Sequence, residues 1–222
     1  MTASENTIAM EAPKPLMRGT LHAATALLAP FGLVLLLAIA DSPSAYVGAA
    51  IFAASLCALY TTSAIYHLLP WRGWSRGLMH RLDHAMIFAL IAGTYTPFCL
   101  IVLGYGGWGI TMLALVWTLA GLGVLVAAAW PAAPRWLNVS LYLALGWIGV
   151  IAASEIVPAL EPVEMALLAL GGLLYTVGAV VYAMKWPDPH PRIFGFHEVF
   201  HVFVIAGTVV HFILIAAYIL PS

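Results

Sequence analysis

Long apolar runs alternate along this chain with short clusters of turn-forming and charged residues. A helix that crosses the hydrocarbon core of a bilayer needs about 20 consecutive, mostly apolar residues. Seven runs reach that length, at about 20–40, 44–69, 83–103, 108–129, 136–156, 163–184 and 197–220. The breaks between them carry turn chemistry, such as Asp41-Ser42-Pro43-Ser44, Pro70-Trp71-Arg72-Gly73, Gly104-Tyr105-Gly106-Gly107 and Pro187-Asp188-Pro189-His190-Pro191. Pro30 and Pro97 fall inside apolar runs, where neighbouring helices can satisfy the carbonyl that a proline frees. The pattern predicts an all-α membrane protein, a seven-transmembrane helix bundle over residues 18–222, preceded by a flexible segment over residues 1–17.

Composition makes lipid the required solvent. Of the 222 residues, 64% are hydrophobic and 8% charged, and mean hydropathy is +1.02. A soluble domain has about 45–50% apolar and about 25% charged residues. The net charge of −1 gives no footprint for nucleic acid. Cys57 and Cys99 match no paired or CxxC framework and read as packing residues. Glu5 and Glu11 precede the first apolar run, unlike a cleaved signal peptide, so the first helix is expected to be retained.

The basic residues orient the bundle. Lys14 and Arg18 precede the first helix. Arg72, Arg76 and Arg81 lie between the second and third, Arg135 between the fourth and fifth, and Lys185 and Arg192 between the sixth and seventh. All eight fall on one side, which the positive-inside rule makes cytoplasmic. The N-terminus is therefore expected in the cytoplasm and the C-terminus outside it. Trp71, Trp74, Trp108, Trp136 and Trp186 sit near helix ends, as interfacial aromatics do.

Ionisable residues within membrane helices are costly, so each is a candidate site. Ser63 and His67 lie near the end of the second helix, Asp83 and His84 open the third, and His197, Glu198 and His201 open the seventh. With the topology above, all three ends share one membrane depth. Residues four apart share a helix face. His67, His197 and His201 fit a zinc site of three neutral imidazoles with one open position. Asp83 suits a hydrogen bond to a bound water or the orientation of a ligand, and Ser63 suits donation to a substrate carbonyl. His22, His80 and His190 read as helix-packing or interfacial histidines. His211 lies ten residues beyond His201, about 15 Å deeper. The stretch His197-Glu-Val-Phe-His201 also reads as H-E-x-x-H, a zincin motif with Glu198 as base. The metzincin third-histidine position holds Gly207, and on an ideal helix Glu198 points away from the His197–His201 face.

These residues resemble the hemolysin III family, the bacterial branch of the progestin and adiponectin receptor superfamily. The stretches that carry the likeness are Ser63-Ala-Ile-Tyr-His67, Arg81-Leu-Asp-His84 running on to Gly93-Thr-Tyr-Thr-Pro97-Phe98, Gly195-Phe-His-Glu-Val-Phe-His201 and Arg18-Gly-Thr-Leu-His22. The resemblance extends to the wider superfamily that includes alkaline ceramidases. It implies a zinc ion held by His67, His197 and His201, with Asp83 and Ser63 in contact through water. It also implies seven helices in a bacterial inner membrane with the N-terminus inside. Receptor relatives carry longer N-terminal extensions, so hormone binding is not carried over. Members have been called pore-forming hemolysins and membrane-homeostasis proteins, and some relatives hydrolyse lipid amides.

The leading expectation is a zinc-dependent membrane protein that acts on, or responds to, bilayer lipids in lipid metabolism or homeostasis, in its mechanistic form a ceramidase-like hydrolase of a lipid amide or ester. In that form Asp83 takes a proton and Ser63 helps to hold the oxyanion. The alternatives are a membrane sensor or homeostasis factor with structural zinc, a pore-forming cytolysin, and an intramembrane metalloprotease. The uniformly apolar helices lack the amphipathic lining a pore needs. Sequence leaves open the identity of the lipid and the roles of Glu198, His84 and His211.

Overall fold

A computed structural model of the chain describes residues 15–221, so most of the N-terminal segment, with Glu5, Glu11 and Lys14, lies outside the described residues. Seven helices are long and apolar enough to cross a membrane, and no strand forms among the described residues. They are α1 (Thr20–Ile39), α2 (Pro43–Leu68), α3 (Gly73–Val102), α4 (Trp108–Ala129), α5 (Arg135–Ala159), α6 (Pro162–Met184) and α7 (Phe196–Ile219).

Helices α2 and α3 form the centre. Over their most apolar windows 56% and 61% of residues are buried, against 11% for α1, which turns Leu27, Leu28 and Phe31 outward. Lipid tails are as apolar as leucine, so helices in a bilayer are held by close approach and polar contacts. That rule explains the small residues between the central helices. A Cβ at Gly93 would overlap the Ser55 side chain, and one at Gly48 would lie 3.0 Å from Pro97 Cα. Leu36, Phe52, Leu56, Leu214 and Ile215 fill one core. Phe88, Met112, Val116 and Ala120 fill a second.

Three helices are irregular, and of these α7 ends in a π-turn over Ile215–Ile219. After Pro97, α3 widens into a π-turn over Phe98–Val102, as a proline ring that crowds the preceding turn favours. In α5 the helix stops at Gly146 and passes through a 3-10 stretch over Ile148–Ala152. The groups freed there are satisfied by α3. The Tyr95 hydroxyl donates to the Gly146 carbonyl at 2.6 Å and accepts from the Gly149 amide at 3.0 Å. A break at membrane depth is tolerated only where protein satisfies it in this way.

The start of α3 differs from the sequence expectation. The helix begins at Gly73, ten residues earlier than Asp83. Arg76, His80 and Arg81 therefore belong to the helix rather than to a loop, and Asp83 is interior to it. No helix-terminal dipole acts on that carboxylate, because the dipole is felt only within the first turn.

Candidate metal centre

At the shared end of α2, α3 and α7, the polar side chains converge. His67 comes from the last turn of α2, and His197 and His201 from the first two turns of α7. One ring nitrogen from each lies within 4.8 Å of the others. His67 Nε2 and His197 Nε2 are 3.2 Å apart. Nitrogens on a tetrahedral zinc at about 2.0–2.1 Å lie about 3.3 Å from one another. One edge thus already has the spacing an ion would impose, and the other two close by shifts of an ångström or so. His67 and His201 are buried and His197 is half-buried.

The surroundings orient these rings. Asp83 Oδ2 stands 3.7 Å from His67 Nε2, with its side chain 14% exposed. The Ser63 hydroxyl hydrogen-bonds to the Asp83 carboxyl. Gly19, at φ +84, takes the left-handed conformation that side chains resist, and a Cβ there would sit 2.6 Å from His67 Cβ. Its bare backbone lets α1 start directly against His67.

His22 packs between helices, as a helix-packing histidine does, and its partners belong to the cluster. Its ring is 3% exposed and stacks on His201 with centroids 3.6 Å apart and planes 12° from parallel. Its Nδ1 is 2.8 Å from Ser63 Oγ. The one sequence signal was its place in the first turn of α1, at the depth of the other histidines. The His80 and His84 rings meet at a tilt, with centroids 4.4 Å apart and planes at 35°, and the Tyr142 hydroxyl lies 3.2 Å from His84 Nδ1. His190 is exposed.

Glu198 is fully buried and committed elsewhere. The Arg18 guanidinium donates to its Oε1 at 2.6 Å, and the Gly195 amide donates to its Oε2 at 2.7 Å. It caps α7 and ties it to α1. Leu16 and Met17 add to the tie by donating to the carbonyls of Arg192 and Ile193, each at 3.0 Å. The zincin base position is therefore filled by a structural carboxylate.

A cavity of about 160 Å³ opens from this cluster into the bundle. Near the cluster it is lined by His22, Ser63, Asp83, His197 and His201. Leu59, Ile87, Leu90, Ile91 and Val204 line its apolar walls, and His211 is its furthest α7 residue from the cluster. This combination, a histidine cluster with a carboxylate at the mouth of an apolar intramembrane cavity, is joined by direct sequence similarity. The haemolysin-III-related family matches residues 10–212. The chain belongs to this family. It is 34% identical to the hemolysin-3 homolog of Bacillus subtilis (strain 168), over 76% of this chain and 75% of the relative. It is 34% identical to hemolysin-3 of Bacillus cereus, over 81% of this chain and 78% of the relative. The adiponectin receptor protein of Drosophila melanogaster is 29% identical, over 68% of this chain and 37% of its own length. The chain is thus an integral, multi-pass membrane protein of the progestin and adiponectin receptor superfamily.

Proposed function

We propose that this protein is a zinc-dependent hydrolase of a bilayer lipid amide or ester, with the metal held by His67, His197 and His201. The observation that carries the reading is the convergence of three imidazoles and the Asp83 carboxylate at the mouth of an apolar cavity within the bundle. The donor set fits zinc, which takes three neutral histidines in catalytic sites and leaves a position open. When bound there, zinc supplies Lewis acidity toward a carbonyl and toward water.

The chain's own residues do the rest. Asp83 holds and moves the proton, since Glu198 is engaged by Arg18 and Gly195. The Ser63 hydroxyl fixes the Asp83 carboxyl, and His22 fixes Ser63. The apolar walls receive a hydrocarbon chain and exclude water from the reacting end. The one-sided distribution of the basic residues supports a cytoplasmic orientation for this mouth, in an inner membrane. Phosphatase and fluorescent-protein fusions at Ser222 test that orientation, and fluorescence without phosphatase activity would reverse it.

The test of function is metal analysis of purified full-length protein together with assays on N-acyl amide and ester lipids. About one zinc per chain and turnover of at least one lipid class are expected. Asp83→Asn should fill with zinc at ample metal and lose about 100-fold or more in rate, as removal of a general base does. Absence of turnover by the zinc-loaded protein on both lipid classes, or full activity in Asp83→Asn, would overturn the reading.

A further inference from the structure

Among the described residues, two buried side-chain atoms have no hydrogen-bond partner: His22 Nε2 and His211 Nδ1. Both rings line the same cavity. His22 stacks on His201 beside the metal cluster. His211 is ten residues further along α7, about 15 Å at 1.5 Å per residue.

Their partners fix which atom needs what. His211 Nε2 lies 3.2 Å from the Leu168 carbonyl oxygen. A carbonyl only accepts, so Nε2 carries the ring proton, and Nδ1 of the neutral ring is a bare lone pair. At the other site Ser63 Oγ lies 2.8 Å from His22 Nδ1, which leaves His22 Nε2 as the buried, unpartnered ring nitrogen. The cavity thus presents an unpartnered ring nitrogen beside the cluster and an acceptor at His211, ten residues beyond His201 along α7, with apolar wall between.

Other hydroxyls at the depth of His211 satisfy one another. Tyr60 donates to Thr208 Oγ1 at 2.7 Å, and the Tyr175 hydroxyl lies 2.8 Å from the same oxygen. His211 is the exception, and the fold makes room for it. A Cβ at Gly171 would overlap the His211 ring, so α6 passes it as bare backbone. An apolar residue would fill such a position without leaving a buried lone pair, which is costly unless something donates to it.

We infer that the cavity binds a long-chain lipid carrying a hydroxyl on its chain, about 15 Å beyond the polar junction held at the cluster, and that His211 Nδ1 accepts from that hydroxyl. This rests on the lipid reading of the site given above.

Binding of free fatty acids tests the hydroxyl subsite without requiring turnover. Full-length protein in detergent is titrated with stearate and with a positional series of hydroxystearates, in competition with a fluorescent fatty acid. One narrow range of hydroxyl positions should bind about three- to tenfold tighter than stearate, the worth of one neutral hydrogen bond. That advantage should vanish in His211→Leu, with stearate binding kept. If His211→Leu fails to fold, Gly171→Ala, which crowds the ring, should reduce the same preference. Equal binding of all isomers by the wild type, or a preference that survives in His211→Leu, would show that water alone satisfies Nδ1 and would overturn the inference. Binding of chains with no hydroxyl preference removes this inference alone, whereas binding of no chain removes the lipid reading with it.

Discussion

Helix α7 carries two polar zones that differ in how they are satisfied. At its start, His197 and His201 face His67 with ring nitrogens close together, those of His67 and His197 3.2 Å apart, and a carboxylate alongside. Two turns further in, Thr208 is closed into a hydroxyl cluster with Tyr60 and Tyr175. Polar groups in hydrocarbon either satisfy one another or mark where something else belongs. The second zone is of the first kind and holds helices α2, α6 and α7 together. The first zone has the donor set of the second kind, since three imidazole nitrogens gathered within 4.8 Å of one another suit a cation between them. The charged pair beside it, Arg18 and Glu198, is a separate interaction that takes up neither His197 nor His201.

The largest effect that would break this contrast comes from the ligands. His201→Ala should abolish stoichiometric zinc binding, measured by metal analysis after gel filtration. Because the unfolded chain lacks the site, bound metal adds to stability. At a thousandfold excess over its dissociation constant, zinc should stabilise the wild type by about 4 kcal/mol and the mutant by almost nothing. Thermal melts in detergent with and without zinc read this directly. Full zinc occupancy in His67→Ala, His197→Ala and His201→Ala alike would refute the assignment.

Next comes the buried ion pair. Glu198→Gln leaves an amide that can still cap Gly195 but cannot neutralise Arg18. Breaking a buried pair by removing one partner costs about 3–5 kcal/mol. The Arg18 side chain keeps 19% exposure, so the loss should lie near about 3 kcal/mol or below. Arg18→Met combined with Glu198→Gln should cost less than the two changes summed, which a double-mutant cycle in thermal melts would measure. The zinc-loaded Glu198→Gln protein should retain turnover. If it is stable but inactive while Asp83→Asn works, the base is Glu198 and the metalloprotease reading replaces the lipid one.

Much of this arrangement was legible in the sequence, because bilayer thickness and helix period are strong constraints. Six of the seven spans were located to within a few residues, and His67, His197 and His201 stood out as ionisable groups at one depth. The start of α3 was missed because Arg72, Arg76, His80 and Arg81 make residues 72–82 read as a loop, although a helix can outlast the hydrocarbon that hydropathy detects. The break in α5 depends on a Tyr95 hydroxyl that comes from another helix. The Arg18–Glu198 pair joins residues 180 apart in sequence, and His22 gains its meaning only by stacking on His201. Helical spacing places groups within one helix, but it cannot say which groups on different helices meet.

The smallest expected effect sharpens the contrast from the other side. Thr208→Val keeps the shape of the side chain and removes the oxygen that Tyr60 and Tyr175 share. In water-soluble proteins a buried unsatisfied donor costs about 1–3 kcal/mol. Within membranes the average interhelical hydrogen bond measures only about 0.6 kcal/mol, because displaced groups find other partners. Two such bonds make about 1 kcal/mol the reasonable sum, a drop of a few degrees in melting temperature. Zinc content should not change if the zones are independent. There is one physical route by which it could, since the Tyr60 ring stands edge-on to His22 at 5.0 Å and His22 stacks on His201. Thr208→Val with unchanged zinc affinity and slightly lower stability keeps the two zones separate. A matched fall in zinc affinity would show that the hydroxyl cluster positions the ligands through Tyr60 and His22, and the division drawn between the zones would fail.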